Sequence, residues 1–211
     1  MIGVDWPTVA SLATALGTLV LALATFAAVR SANRAARAAE RSLLAGLRPL
    51  LSSARPQDPP QKVLWMDGHF ARAEGGRAVV EVMDDVIYLA AAVRNSGNGL
   101  ALLHGWYPYP ERKGADDDHE PPERFRRLTR DLYVAAGDVG FWQGSIRDAD
   151  DPYRDGMLGA IEAHEPLTVD ILYGDHEGGQ RAIARFALTP WDEGYLFAPV
   201  RYWNIDLPDP R

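Results

Sequence analysis

Val9–Val29 reads VASLATALGTLVLALATFAAV, twenty-one residues without a charge. At 1.5 Å per helical residue the run is about 31 Å long, close to the hydrocarbon thickness of a bilayer. Trp6 stands where an interfacial aromatic would, and Pro7 after Asp5 suits a first helical turn. A buried core helix is seldom uncharged over such a length. A cleaved signal would begin with basic residues, whereas MIGVDWP carries only an acid. The run therefore predicts a retained transmembrane helix over about residues 7–29.

The next stretch, Ala28–Arg41, is AVRSANRAARAAER. At 100° per residue Arg30, Arg34, Arg37 and Arg41 fall within about 60° of one another, with Ala32, Ala35 and Ala39 on the opposite side. The N-terminal flank of the span has no Arg or Lys. The positive-inside rule then predicts an outside N-terminus in a bacterial inner (plasma) membrane, with residues 30–211 in the cytoplasm. Arg30 and Arg34 are near enough to the bilayer to meet anionic headgroups. No proline interrupts the sequence before Pro49, so a continuous juxtamembrane helix is expected to about residue 47, within a first region of residues 1–54. Ala13 and Gly17 in the span, and Ala32, Ala35 and Ala39 beyond it, are small-residue positions through which two helices would pack.

The rest of the chain differs in charge. Residues 1–50 carry +3, and the remainder of the 211-residue chain carries −10. Such an acidic body argues against nucleic acid as a partner, because phosphate backbones need clustered positive charge. There is no cysteine, which removes disulfides, thiol nucleophiles and thiolate zinc sites. Arg55–Gln61, RPQDPPQ, reads as a Pro-rich linker. After it, runs such as Val63–Met66, His69–Ala73, Ala78–Met83, Val86–Arg94, Leu100–Tyr107, Asp131–Ala135, Val139–Ile146, Leu167–Tyr173, Arg181–Leu188 and Tyr195–Trp203 recur between Gly, Asn and Asp turns. They predict an all-β antiparallel, Ig-like sandwich over residues 62–211, with one short helix near 153–164.

Two turns punctuate this domain: Arg94–Leu100, RNSGNGL, whose Asn and Gly tolerate positive φ, and Tyr173–Gln180, YGDHEGGQ, a hairpin loop. An N-terminal span, an Ala/Arg/Glu helix ending in LLAGLRPLL, an Asn-x-Gly-x-Gly turn and a Tyr-x-Asp-x-x-Gly hairpin occur here in that order. The order resembles a group of uncharacterised single-span membrane proteins common in actinobacteria. In that group Pro usually follows the second Gly of the turn, where this chain has Leu100. The resemblance implies membrane anchoring and a C-terminal β-sandwich, and it carries over no catalytic residue.

The chain shows no His-x-x-x-His pair, no Gly-x-Ser-x-Gly elbow and no phosphate-loop glycine spacing. Ala115–Glu123, ADDDHEPPE, gathers oxygen ligands, so Asp116, Asp118, His119 and Glu120 are the candidates for a hard divalent cation. The spacing is not that of an EF-hand, and a solvated loop is the plainer reading. Asp148–Asp155 is a second acidic loop of the same kind. In WYPYP, Trp106, Tyr107 and Tyr109 are candidate partner anchors, because neighbouring strand residues face opposite sides. No cofactor is called for. Together these features predict a membrane-anchored interaction or scaffold module without catalytic activity, its partners the bilayer and a protein or a second copy. An extracytoplasmic sensor or envelope domain, or a metal-dependent enzyme using an acidic loop, are the alternatives.

Overall fold

Forty-one consecutive residues, Trp6–Gly46, form one helix, α1. At 1.5 Å per residue it is about 62 Å long. None of its residues is buried, and its apolar part is long enough to cross a membrane. The hydroxyls within that part bond back to the helix: Ser11 donates to the Pro7 carbonyl, Thr14 to Ala10, Thr18 to Thr14 and Thr25 to Leu21, at 2.8–3.1 Å. Backbone and hydroxyl groups are thus satisfied within the helix itself, as a hydrocarbon surrounding requires. The computed structural model describes residues 5–208 and divides after Gly46 into the helix and a β-domain that begins at Leu47.

The domain's strands are β1 (Leu51–Ser53), β2 (Gln61–Leu64), β3 (Phe70–Ala73), β4 (Arg77–Met83), β5 (Val86–Asn95), β6 (Ala101–Tyr109), β7 (Arg126–Val134), β8 (Val139–Ile146), β9 (Leu167–Gly174), β10 (Ala182–Trp191) and β11 (Gly194–Asn204), with a helix α2 (Arg154–Glu162) between β8 and β9. Nine strands make one antiparallel sheet in the order β1-β5-β4-β11-β10-β9-β6-β7, with β8 on the second edge of β5. The sheet curls until β7 comes alongside β8, so a single sheet supplies both layers of a sandwich-like all-β domain. Its inner face holds Leu89, Trp106, Trp142, Ile171, Phe186 and Phe197, closed by Met157 and Ala160 of α2. β2 and β3 form a separate hairpin whose Val63, Trp65 and Ala71 cover the outer face of β5 at Tyr88, Ala90 and Ala92.

This double covering explains a weak sequence signal. β5 is buried on both faces, so its apolar residues run continuously instead of alternating, and β9 is buried on both faces with Thr168 and Asp170 among its buried residues. β9 turns Leu167, Val169, Ile171 and Tyr173 inward, while Asp170 and Leu172 lie under other chain segments outside.

Two boundaries differ from the sequence reading. Residues 51–53, expected in the helical region 1–54, are a strand paired with β5 at Val93–Asn95. Residues 55–61 are not a linker but a turn inside the domain. Asp58 accepts from the Arg55 amide at 2.8 Å and from Arg94 at 2.6 and 3.1 Å, and a Cβ at Gly75 would lie 1.7 Å from the Arg55 carbonyl. The guanidinium of Arg94 holds the Asp58 carboxyl below its usual range. Proline stops the helix here but does not free the chain.

The start of the domain is latched by Asn95, which is fully buried. Its Oδ1 accepts from the amides of Leu50 (3.1 Å) and Gly97 (3.0 Å), and its Nδ2 donates to the carbonyls of Gly99 (2.6 Å) and Val134 (3.0 Å). The turn glycines serve close approach, not positive φ: a Cβ at Gly99 would sit 1.6 Å from the Leu47 carbonyl and one at Gly97 2.3 Å from that of Arg48. Asn95→Ala strands two buried carbonyls, those of Gly99 and Val134, and two part-buried amides, and is expected to cost roughly 2–4 kcal/mol in thermal or denaturant unfolding. A loss under about 1 kcal/mol would contradict the latch.

Candidate binding cleft at the β7–β8 seam

The seam where the curled sheet nearly closes is shaped by a bulge. β7 pairs with β6 through Ala101–Val134, Leu102–Tyr133 and Leu103–Leu132, and then again through Gly105–Arg127 and Trp106–Arg126. Leu128–Asp131 loop out between these two registers, and bulges of this kind re-aim side chains. Gly105 permits the rejoining, since a Cβ there would lie 2.7 Å from the Arg126 carbonyl.

Opposite the bulge stand Gln143, Gly144 and Ser145 of β8. A cleft of about 130 Å³ opens between the two strands, walled by Trp65 and Trp106. The Trp106 ring lies directly on Gly144, where a Cβ would come within 2.6 Å of it, and the Trp65 indole donates to the Gly144 carbonyl at 3.2 Å. Arg126 is fixed: its guanidinium lies 5.4 Å from the Trp106 ring centre and 5.1 Å from that of Tyr153, and it pairs with Asp151 at 2.5 Å. Burial pushes the Asp151 carboxyl up, but its hydrogen bond to Arg126 brings it below the ordinary value. Arg130 donates to the buried Gln143 Oε1 at 3.0 Å. Arg127 lines the cleft, is exposed, and makes no ion pair among the described residues. No carboxylate lines the cleft.

On the other side of the bulge a space of about 290 Å³ is lined by His104, Arg127, Arg130 and Asp131 among others. Burial and the nearby Arg181 push the His104 imidazole below its usual value.

The acidic loop expected to offer metal ligands is held in another way. Arg185 of β10 and Asp170 of β9 are cross-strand partners, fully buried and bidentate at 2.8 Å. The remaining Arg185 N–H groups donate to the carbonyls of Gly114 (3.0 Å), Asp117 (2.8 Å) and Asp118 (3.1 Å), so all five donors are used. The loop is thus bound through its backbone. The side chains of Asp116, Asp117 and Asp118 are exposed, and His119 Nδ1 meets the Glu120 carbonyl at 2.8 Å. Among the described residues no three His, Asp or Glu side chains group as a metal site, so Asp116, Asp118, His119 and Glu120 do not form one. Glu120 instead pairs with Arg124 at 2.6 Å, and Asp151 of the second acidic loop with Arg126.

Trp106, Tyr107 and Tyr109 are not exposed anchors. They are 3, 3 and 7% exposed. Trp106 faces the inner core, while Tyr107 and Tyr109 face outward beneath the chain that follows them: the Tyr107 hydroxyl bonds that of Tyr153, and Tyr109 donates to Asp170 at 3.1 Å. Alternation put one of each pair outside, but the outer face is itself covered. On α1, Trp6, Ala13, Gly17, Arg30, Ala32, Arg34, Ala35, Arg37, Ala39 and Arg41 are all exposed.

The cleft itself was missed in the sequence, although RFRRLTR (Arg124–Arg130) sets four arginines within seven residues of an otherwise acidic domain. Comparison with family models, curated proteins and solved structures finds no match for this chain.

Removing one partner of the buried pair leaves an uncompensated charge, so Arg185→Ala is expected to cost about 3–5 kcal/mol. It should also loosen the loop enough for faster tryptic cleavage after Arg112 and Lys113, which limited proteolysis followed by mass spectrometry reads directly. Cleavage at wild-type rate would contradict the role of Arg185 in holding the loop.

Proposed function

We propose that this chain is a single-span protein of a bacterial inner membrane whose β-domain lies on the cytoplasmic side and works as a non-catalytic interaction module. The observation that carries the reading is α1. Twenty-one uncharged residues with self-satisfied hydroxyls are followed, on one side only, by Arg30, Arg34, Arg37 and Arg41. The resemblance to actinobacterial single-span proteins fits the same arrangement.

The domain's charges support a binding role over a chemical one. Asp170–Arg185, Asp58–Arg94, Asp151–Arg126 and Asp206–Arg181 are structural pairs. Asp67 joins Tyr88 and Arg147, which tie the β2–β3 hairpin to the sheet and hold its carboxyl far below the usual range. The seam is the place where cationic side chains and indole rings meet an open cleft, and it is the face assigned to the partner. Tethering would hold that face at high effective concentration beside other membrane proteins.

The full-length protein is expected to sediment with membranes and to resist alkaline carbonate extraction. Leu16→Asp combined with Leu19→Asp and Leu23→Asp places three charges in the span and should move it to the soluble fraction. Carbonate extraction of the wild-type chain would count against the membrane span.

A further inference from the structure

We propose that the β7–β8 cleft is an oxyanion site that receives a single phosphoryl group. This rests on the seam being the domain's binding face, and it adds the chemistry of what binds there.

Charge is the first ground. In a region of net charge −10 the cleft is lined by two arginines and no carboxylate. Arg126 is held rigidly between two aromatic rings with Asp151 behind it, and Arg127 stands exposed at the rim. A planar guanidinium fork is the side chain best matched to phosphate oxygens. Thr129 and Ser145 stand on opposite walls, the Ser145 hydroxyl accepting from Arg147 at 3.1 Å. Indole walls reduce the local dielectric and strengthen each charge-assisted bond.

Size is the second. About 130 Å³ holds one tetrahedral oxyanion with little beside it, well below the range typical of sites for drug-sized ligands. A peptide adding to the edge of β8 is disfavoured, because the Trp65 indole already occupies the Gly144 carbonyl that such a strand would need. A phosphoryl group therefore fits where a strand or a nucleoside does not. It can arrive as a free phosphate or on a lipid headgroup.

The test is calorimetric titration of the full-length protein in nanodiscs. In one arm inorganic phosphate is added to discs of phosphatidylcholine. In the other, discs containing phosphatidic acid are compared with phosphatidylcholine discs by crosslinking from a photoreactive residue at Thr129. The proposal predicts saturable binding that weakens about tenfold or more in Arg127→Gln, recovers in part in Arg127→Lys, and is unchanged in Arg112→Gln, an exposed arginine outside the cleft. Unchanged thermal unfolding of Arg127→Gln separates lost binding from lost folding. Phosphate binding assigns the soluble source, and headgroup crosslinking alone assigns the lipid. Binding indifferent to Arg127, or no response in either arm, overturns the proposal. Crosslinking from Thr129 to a protein partner in cells, with neither arm responding, overturns the oxyanion assignment while the interaction reading stands. Loss of that crosslinking as well overturns both.

Discussion

The Asn95 amide is a small group with a large share of the architecture. Its four hydrogen bonds join the chain just past α1, the turn after β5 and the last residue of β7. The backbone of Asn95 adds two more contacts, donating to the Asp138 carbonyl and accepting from the Gly137 amide, and so includes the β7–β8 turn. One buried residue thereby fixes where the domain begins and where the seam of the sheet closes. From that closed end the strands diverge toward the Leu128–Asp131 bulge, and the cleft lies at the divergence. A buried amide with all its donors and acceptors met contributes only modestly in net terms, but its loss is costly, because the Gly99 and Val134 carbonyls it leaves behind are buried.

A second constraint acts on the far side of the sheet. Arg185 stands in the middle of β10, where a charge is expensive unless it is paired and hydrogen-bonded. Asp170 answers the charge, three loop carbonyls answer the remaining donors, and Trp203 stacks at 4.7 Å. The consequence reaches the surface: a run of acids that resembles a metal loop is folded by its backbone and leaves its carboxylates in solvent. Arginines meet carboxylates in this way elsewhere in the domain, and Arg94, Arg124, Arg126 and Arg147 each add a contact with an aromatic ring or a carbonyl. Arg127 makes no such pair among the described residues and lines the cleft, which is why the seam stands out.

Much of the fold is legible in the sequence. The uncharged run and the helix formers after it define α1 to within a residue or so at each end, because nothing in the sequence competes with a helix there. The bounds of Val139–Ile146 are plain in the sequence, since turn residues flank it on both sides. β1 was not legible: three residues after Pro49 carry no period, and their strand conformation comes from pairing with β5. The first half of β7 was hidden by its arginines, which look like a solvated loop until the bulge and the Trp106 ring give them places. The aromatic anchors failed for a related reason. Period-two alternation reports which face a residue takes, but not whether a later loop covers that face. The cleft depends on such long-range coverings, by Trp65 from one hairpin and Tyr153 from the segment before α2, and no local pattern encodes them.

Topology is the point on which the proposed membrane anchor, the arginine stripe and the placement of the domain all depend, and the absence of cysteine makes it directly measurable. Ala136, exposed in the turn between β7 and β8, can be replaced by the chain's single cysteine without touching the Asn95 latch or the cleft. With a membrane-impermeant maleimide, Ala136→Cys should remain unlabelled in intact cells and label fully once the inner membrane is permeabilised. Full labelling in intact cells would contradict the cytoplasmic placement and turn the domain outward.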